Sequence, residues 1–316
     1  MRIAVIGAGG LGGTFGGRLA RAGEEVHFVA RGQHLEAIRS NGLRVESIHG
    51  DFALAPAETR ATDDPTTIGP VDIVLFTVKS YDTDRAAATL APLVGPKTAV
   101  ISLQNGIDNE ERIAAAIGAE HVVGGVAWIF VGIAAPGVVR HTGGPARITF
   151  GELDGRPSAR LETFLTVCQR ASIPAEIADD IRVALWTKYA FICAQAGLTA
   201  ATRQPIGVIR DTPATWAQFR AVIDETLRVG RAEGVPLAED LVDRQVAAAA
   251  GLDPGLFSSL HDDLVSGRPM ELGALLGELV RRAERAGVAV PTTTVLYAIL
   301  LPQANISRRE RTAGAR

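Results

Sequence analysis

Short runs of apolar residues alternate with amphipathic stretches through the first half of the chain. The segments "RIAVIGAG" and "EVHFVA" predict two strands, separated by a helix that ends at Gly23. Two longer apolar runs, Val71–Lys79 and Thr98–Gly106, predict two further strands. Continuously apolar strands are typical of a parallel sheet covered by helices on both faces. The first half is therefore predicted to be a doubly wound α/β domain.

The pattern of apolar positions changes in the second half. Residues 122–152 are rich in Val, Ile and Gly, and they predict further strands that close the sheet in a partly antiparallel way. From about residue 180 helical spacing dominates. It predicts helices over Ile181–Ala196, Thr215–Glu233, Leu237–Ala250 and Met270–Gly287. We expect an α/β domain over residues 1–178, followed by an all-α domain over residues 179–316.

Composition narrows the class of protein. Hydrophobic residues make up 47% of the chain and charged residues 21%, a balance typical of folded proteins. A net charge of −3 offers no basic surface for nucleic acid, and no apolar run is long enough to cross a membrane. No Cys/His cluster predicts a metal site. A cytoplasmic protein with a small-molecule substrate is expected, and the sequence does not choose between a monomer and a homodimer.

The glycines after the first predicted strand form a recognisable motif. "GAGGLG" matches G-x-G-x-x-G at Gly7, Gly9 and Gly12, directly between a strand and a helix. There, glycines permit a tight turn and close approach of the backbone to a pyrophosphate at the helix N-terminus. We interpret this as a Rossmann-type dinucleotide-binding loop, with Gly7, Gly9, Gly10, Leu11 and Gly12 as cofactor-binding residues. The alternative is an ordinary glycine turn.

The residue after the second strand indicates which dinucleotide is bound. Proteins that bind NAD usually carry Asp or Glu at this position to contact the ribose diol. Here the strand ends at Ala30 and is followed by Arg31, which could contact the 2′-phosphate of NADP. NADP(H) is the predicted cofactor. The alternative is that Arg31 only caps an exposed turn.

One lysine stands in an unusually apolar stretch, "LWTKYAFICAQAGL". Around Lys188, the positions three and four residues away are Ala184, Leu185, Phe191 and Ile192. Burying an ammonium among such residues costs free energy unless something compensates. The side chain could lay its stem on apolar surface and keep its charge in water. Alternatively, it serves a reaction.

These features together resemble a known family. Besides "GAGGLG" and Arg31, five segments resemble ketopantoate reductases (2-dehydropantoate 2-reductases) and occur in the same order as in that family. They are "TVKSYDT", "SLQNGIDNEE", "HTGGPARITFGELDG", "LWTKY" and "SSLHDDLVSGRPMELGALLG". The resemblance implies NADPH-dependent reduction of 2-dehydropantoate to (R)-pantoate, a step toward pantothenate. It also implies an active site in a cleft between the two domains.

The resemblance assigns individual roles. Lys188 corresponds to the catalytic lysine and Glu271 to the active-site glutamate, while Lys79 would hold the cofactor. Asn105 would lie between nicotinamide and substrate, and Ser259 would bind the substrate. Chemistry agrees, because hydride addition to a carbonyl makes an alkoxide that needs a proton donor. Simpler alternatives are a turn at Asn105–Gly106, a helix cap at Ser259, an exposed helix face at Glu271 and plain surface charge at Lys79.

The chain departs from the family at two positions. Four and eight residues after the catalytic lysine the family has asparagines that bind substrate, whereas this chain has Ile192 and Ala196. Gln195 precedes Ala196 directly, but one residue of helix rotates its side chain by about 100° away from the direction of the Ala196 side chain. The substrate could therefore be a less polar 2-oxo acid or ketone. A non-catalytic NADP-binding sensor is a remote alternative. The Arg31, Asn105, Ser259 and Glu271 set argues against a β-hydroxyacid or opine-type dehydrogenase.

Overall fold

The computed structural model describes residues 1–314, and side chains through residue 306. Contacts divide the chain into two compact units. Unit 1 comprises Met1–Gln104 and Asn109–Ala184, and unit 2 comprises Asn105–Asp108 and the chain from Leu185 onward. Four residues from the middle of the first half thus belong to the unit formed by the second half.

Unit 1 is built on a mixed sheet. Its strands are β1 (Arg2–Ile6), β2 (Glu25–Val29), β3 (Leu43–Ser47), β4 (Phe52–Leu54), β5 (Arg60–Thr62), β6 (Val71–Phe76), β7 (Val94–Ser102), β8 (Val122–Ala135), β9 (Val138–Glu152) and β10 (Ala175–Ile177). The order is β4-β3-β9-β8-β7-β6-β1-β2-β5, with β10 beside β9. From β5 to β8 all neighbours are parallel, whereas β8 and β9 are antiparallel. The predicted parallel sheet with a partly antiparallel extension is confirmed.

Helices cover both faces of this sheet. They are α1 (Gly10–Arg21), α2 (Gly32–Asn41), α3 (Thr83–Ala87), α4 (Asn109–Ile117) and α5 (Ala159–Arg170). Successive residues of β1 point to opposite faces, so Ile3 and Val5 join one apolar core while Ala4 and Ile6 join the other. A strand buried on both faces must be apolar at every position, which explains the uninterrupted run near the N-terminus.

The parallel pairing brings several loops to one edge of the sheet. Because β2, β1, β6 and β7 are parallel neighbours, their carboxyl ends lie along the same edge. The glycine loop follows β1, Arg31 follows β2 and Lys79 follows β6. In open α/β sheets, ligands bind outside the carboxyl ends of the strands.

The regular secondary structure of unit 2 is helical, with no strand among its described residues. The helices are α6 (Ile181–Thr202), α7 (Ile206–Asp211), α8 (Pro213–Ala232), α9 (Leu241–Ala250), α10 (Ser259–Val265), α11 (Leu276–Ala286) and α12 (Pro291–Gly314). In α6, whose first turn belongs to unit 1, every residue from Cys193 to Ala200 is buried. A helix that is buried around its whole circumference forms the centre of a bundle rather than its surface. Among the described helices, none is long and apolar enough to cross a membrane.

One predicted helix is interrupted. The apolar spacing over Met270–Gly287 predicts a continuous helix, but the structure has a 3-10 turn at Glu271–Gly273 and starts α11 only at Leu276. The Leu275 carbonyl at this break accepts a hydrogen bond from the Tyr189 hydroxyl at 2.6 Å. The Tyr189 hydroxyl thus bonds to the chain at the point where the helix is interrupted. A local pattern of apolar residues does not reveal such a tertiary contact.

Candidate active site

The glycine loop has the geometry that its motif requires. Gly7 has φ +99°, and a Cβ there would lie 2.9 Å from the Val78 backbone nitrogen. At Gly12 a Cβ would lie 2.5 Å from Thr77 Oγ1 and 2.7 Å from Val5 Cγ1. Neither position admits a side chain without displacing its neighbours. These two glycines are needed by the fold itself.

Gly9 differs from the other two. A Cβ at Gly9 would meet only Ile133 Cδ1, at 3.8 Å. Gly9 is also the N-cap of α1 and offers no side chain to its first backbone N–H groups. The first four N–H groups of a helix have no partner within the helix, and they carry its positive dipole end. Open space in front of such a terminus fits a dinucleotide pyrophosphate.

Two side chains that sequence reasoning missed hold this loop. Thr77 Oγ1 donates to the Gly7 carbonyl at 2.8 Å, just beyond β6. His34 Nδ1 accepts from the Gly137 backbone N–H, so its proton lies on Nε2, which donates to the Ala8 carbonyl at 2.8 Å. The signal for Thr77 was available in principle, since this threonine directly follows four apolar residues, Ile73–Phe76.

Arg31 lies at the end of β2, at the N-cap of α2, in extended conformation (φ −143°, ψ 160°). Its side chain is exposed and makes no side-chain cap bond to the helix. By contrast, the guanidinium of Arg39 in the same helix is bonded to the Ala61 carbonyl and to Asp63. Arg31 therefore offers its guanidinium to solvent or to a ligand at the carboxyl edge of the sheet.

Lys79 lies in the loop after β6, where a buried amide fixes the backbone. Lys79 is partly buried and precedes a 3-10 turn at Ser80–Asp82. Gln104 Nε2 donates to the Val78 carbonyl and to Thr83 Oγ1, both at 2.8 Å. Gln104, which follows β7, thus bonds to the backbone just before Lys79 and to the Thr83 side chain just after the 3-10 turn.

In unit 2, the lysine of the apolar stretch has an altered acidity. Lys188 is only partly exposed, and burial of its ammonium group is the main cause that lowers its pKa to about 8. The negative charge of Glu271 acts in the opposite direction and raises the same pKa. Glu271 itself is buried, with 6% of its surface exposed. An ammonium with a pKa near 8 is charged at neutral pH and gives up its proton readily.

A neighbouring tyrosine fixes the segment that carries Glu271. Tyr189 is fully buried, and its hydroxyl donates to the Leu275 carbonyl. The Leu275 N–H in turn donates to the Glu271 carbonyl at 3.1 Å. The residue beside Lys188 is therefore connected to the turn that begins at Glu271. A buried Tyr hydroxyl needs a partner, which is the sequence signal that could have indicated this role.

Asn105 belongs to the same unit as Lys188 and Glu271. Its segment is held by Arg282, whose Nη2 donates to the Ile107 carbonyl at 3.3 Å. Gly106 has φ +112°, a conformation that favours glycine, and the chain bends at Asn105–Gly106. This bend is compatible with a ligand-binding role for Asn105, because it fixes the backbone that carries the Asn105 side-chain amide.

The two serines at the start of α10 have different environments. Ser258, not Ser259, caps this helix, because its buried Oγ accepts from the His261 N–H at 3.1 Å. Ser258 Oγ also lies 2.6 Å from Thr199 Oγ1. Ser259 is exposed at the first helical position. The capping explanation thus applies to Ser258 and leaves the hydroxyl of Ser259 available.

The described residues contain no cluster of three or more His, Cys, Asp or Glu side chains that could hold a metal ion. Unit 2 instead contains Lys188 and Glu271, whose charges interact, and also Asn105. This set can donate protons and hydrogen bonds to an oxygen-rich substrate.

The chain matches the models of one protein family over most of its length. The model of the family Ketopantoate reductase PanE/ApbA matches residues 3–155, and that of its C-terminal part matches residues 180–303. The chain belongs to the ketopantoate reductase family. Like other ketopantoate reductases, it is an oxidoreductase that acts on a CH–OH/C=O pair. The resemblance found in its motifs is thereby confirmed.

Individual ketopantoate reductases match along nearly the whole chain. A 2-dehydropantoate 2-reductase from Caulobacter vibrioides is 35% identical over 94% of this chain and 97% of its own. The crystal structure of a 2-dehydropantoate 2-reductase from Geobacter metallireducens covers 96% of this chain and 99% of its own, with 34% identity and a TM-score of 0.89. A PanE/ApbA family ketopantoate reductase from Ralstonia eutropha is also 34% identical, covering 98% of this chain and 100% of its own, with a TM-score of 0.88. The predicted fold class, an α/β dinucleotide-binding domain followed by a helical domain, is confirmed.

Proposed function

We propose that the protein reduces 2-dehydropantoate to (R)-pantoate with NADPH, with Lys188 as the general acid. The observation that carries this proposal is the match to the ketopantoate reductase family along the chain, together with Lys188 and the buried Glu271 in unit 2, where the carboxylate acts on the ammonium. The relative from Caulobacter vibrioides bears the name of this activity. In this proposal residues 1–178 form the NADP-binding domain and residues 179–316 the catalytic domain.

The nucleotide would be bound by unit 1. Gly7, Gly9, Gly10, Leu11 and Gly12 would present backbone N–H groups to the pyrophosphate at the start of α1, and Lys79 would add a positive charge. Arg31 would contact the 2′-phosphate, which favours NADPH over NADH because the exposed guanidinium can bind a phosphate bidentately. When bound, the dinucleotide supplies the hydride.

The proton would come from unit 2. As the carbonyl carbon gains a hydride, negative charge develops on its oxygen, and Lys188 Nζ would stabilise that charge and donate a proton. Glu271 keeps the ammonium protonated by raising its pKa. Asn105 and Ser259 would hold the substrate in place. Each of these residues lies in unit 2, so one unit would carry the acid and its supporting groups.

A second candidate substrate is a 2-oxo acid with a less polar arm. It is favoured by Ile192 and Ala196, which stand where the family has asparagines and which offer no hydrogen bond. This alternative uses the same proton donor and the same cofactor. Only the chemistry of the substrate arm differs.

Steady-state oxidation of NADPH by the purified protein tests the proposal. 2-Dehydropantoate is compared with a panel of 2-oxo acids that have apolar arms. A kcat/KM of about 10⁴ M⁻¹s⁻¹ or more for 2-dehydropantoate, in the usual range for enzymes, is the expected result. Strong activity only on the apolar acids would favour the second candidate, and inactivity toward every 2-oxo acid would refute both.

A further inference from the structure

Gln195 is a buried amide with an unused donor. Only 2% of the residue is exposed, and its Nε2 is buried without a hydrogen-bond partner among the described residues. Leaving a buried donor unpaired is unfavourable, and such groups are uncommon in folded proteins. A glutamine in this position therefore calls for an explanation, because leucine or methionine would fill the same space without this penalty.

Helix geometry places Gln195 in line with the proposed acid. Seven residues separate Lys188 from Gln195, which is about two turns, so the two positions differ by only about 20° around α6 and by about 10 Å along it. Ala196 lies about 80° from Lys188 on the same scale. Gln195 is thus the polar residue of this helix that shares the side of Lys188 at a distance of two turns.

The hydroxyls that follow on this side are already occupied. Thr199 Oγ1 donates to the Gln195 carbonyl at 2.7 Å, so the short contact with Ser258 must use the Ser258 proton. Ser258 Oγ in turn accepts from the His261 N–H. Neither hydroxyl has a proton to spare. The amide of Gln195 is the group here with a spare donor.

We propose that Gln195 Nε2 donates a hydrogen bond to an oxygen on the arm of the 2-oxo acid substrate, two turns along α6 from Lys188. For 2-dehydropantoate that oxygen is the 4-hydroxyl group. This inference rests on the proposed function and adds a specificity-determining residue to it. It explains how a pocket with Ile192 and Ala196 retains a polar contact for a hydroxylated substrate.

Substitution of the amide tests this assignment with two substrates. Gln195→Met keeps the length of the side chain and removes its donor, and Gln195→Leu is a second variant should methionine disturb packing. Each is assayed with 2-dehydropantoate and with 3,3-dimethyl-2-oxobutanoate, which lacks only the hydroxyl. The ratio of the two kcat/KM values is expected to fall at least about tenfold relative to the unsubstituted protein, with little change for the deoxy substrate.

Gln245→Met is the matched control. Gln245 is also buried in unit 2, but its Nε2 is already bonded to the Thr187 carbonyl at 2.9 Å. Its substitution is expected to lower the melting temperature and to leave the substrate ratio unchanged. Gln195→Met, which removes an unpaired donor, is expected to maintain or raise the melting temperature of the ligand-free protein.

The outcomes separate the assignment from the proposed function. An unchanged substrate ratio in active Gln195 variants would overturn the role of Gln195 alone. A fall in melting temperature as large as that of Gln245→Met would show that the amide is paired internally, and would also overturn it. Inactivity of the unsubstituted protein toward both acids would overturn the proposed function together with this assignment.

Discussion

Lys188 shows how one residue can have an acidity that differs from its ordinary value. Burial of its ammonium lowers its pKa to about 8, and the charge of Glu271 prevents a larger decrease. At neutral pH the group therefore stays charged while its proton is held less tightly than in an exposed lysine. Opposing effects of this kind are typical of active-site acids.

The first prediction concerns the side chain of Lys188. Lys188→Ala is expected to lower kcat by about two orders of magnitude or more, because the proposed proton donor is removed. NADPH affinity should change little. Lys97→Ala is the control, since Lys97 is exposed and lies in β7. Nearly unchanged turnover in Lys188→Ala, measured beside this control, would refute the proposed role.

The second prediction concerns pH. The acid form of Lys188 is active, so kcat/KM should be constant below the pKa and decline as the pH rises above about 8. In Glu271→Gln the charge that raises this pKa is removed, so the decline should begin at a lower pH. Initial rates measured across the pH range for both proteins provide the check. A decline at the same pH in both would contradict the coupling of these two residues.

The third prediction concerns the choice of dinucleotide. Arg31→Ala is expected to weaken NADPH binding by about tenfold or more, the usual contribution of a charged hydrogen bond, and to leave NADH binding unchanged. Arg39→Ala is a matched control, because the guanidinium of Arg39 is already bonded within unit 1. Titration with each dinucleotide measures the effect. Equal losses for NADPH and NADH would argue against contact with a 2′-phosphate.

At the scale of elements, the glycine loop combines two requirements that can be separated. Gly12 is required by packing, since a Cβ there would clash with Thr77 and Val5. Gly9 has open space in front of it, so a ligand rather than the protein would explain its lack of a side chain. The two positions are three residues apart in the same motif.

The fourth prediction uses this difference. Gly12→Ala should lower the free energy of unfolding by about 1–3 kcal/mol, as overpacking usually does. Gly9→Ala should leave stability nearly unchanged but weaken dinucleotide binding by about tenfold or more, because the methyl group obstructs the pyrophosphate. Chemical denaturation and dinucleotide titration of both variants give the two readings. Unweakened binding in Gly9→Ala would argue against a pyrophosphate at this loop.

Much of the fold follows from local rules that are visible in the sequence. Apolar runs and the glycine motif predict β1, α1 and the parallel sheet, since each depends on neighbouring residues. The interruption before α11 could not be predicted, because the Tyr189 hydroxyl that bonds to Leu275 lies far away along the chain. The distinction between Ser258 and Ser259 was missed for a similar reason, as Thr199 completes the environment of Ser258.

At the scale of the whole molecule, Arg282 connects segments that lie far apart in the sequence. Only 6% of this residue is exposed, and its guanidinium contacts Glu278 at 3.0 Å, Glu233 at 2.7 Å and the Ile107 carbonyl at 3.3 Å. It therefore joins α11, the end of α8 and a segment from the first half of the chain. A buried arginine persists only where such partners satisfy its charge.

The fifth prediction follows from these contacts. Arg282→Met should lower the free energy of unfolding by about 3 kcal/mol, because buried carboxylates lose a partner. Arg285→Met is the control, since Arg285 is exposed and meets Glu278 only at 3.3 Å, and it should change stability by less than about 1 kcal/mol. Denaturant titrations of both variants measure this difference. Equal stability of the two variants would contradict the structural role of Arg282.

The inclusion of Asn105–Asp108 in unit 2 affects how the protein can be assembled and divided. During synthesis these residues leave the ribosome long before Arg282. Unit 2 therefore cannot complete its contacts until Arg282 has been made and can bond to the Ile107 carbonyl. A fragment beginning at Leu185 would lack the Ile107 carbonyl that Arg282 uses. Dividing the gene before Leu185 would therefore produce a second fragment that lacks Asn105–Asp108. If the gene is divided in an exposed loop within either unit and both fragments are produced together, the bond between Arg282 and the Ile107 carbonyl can still form.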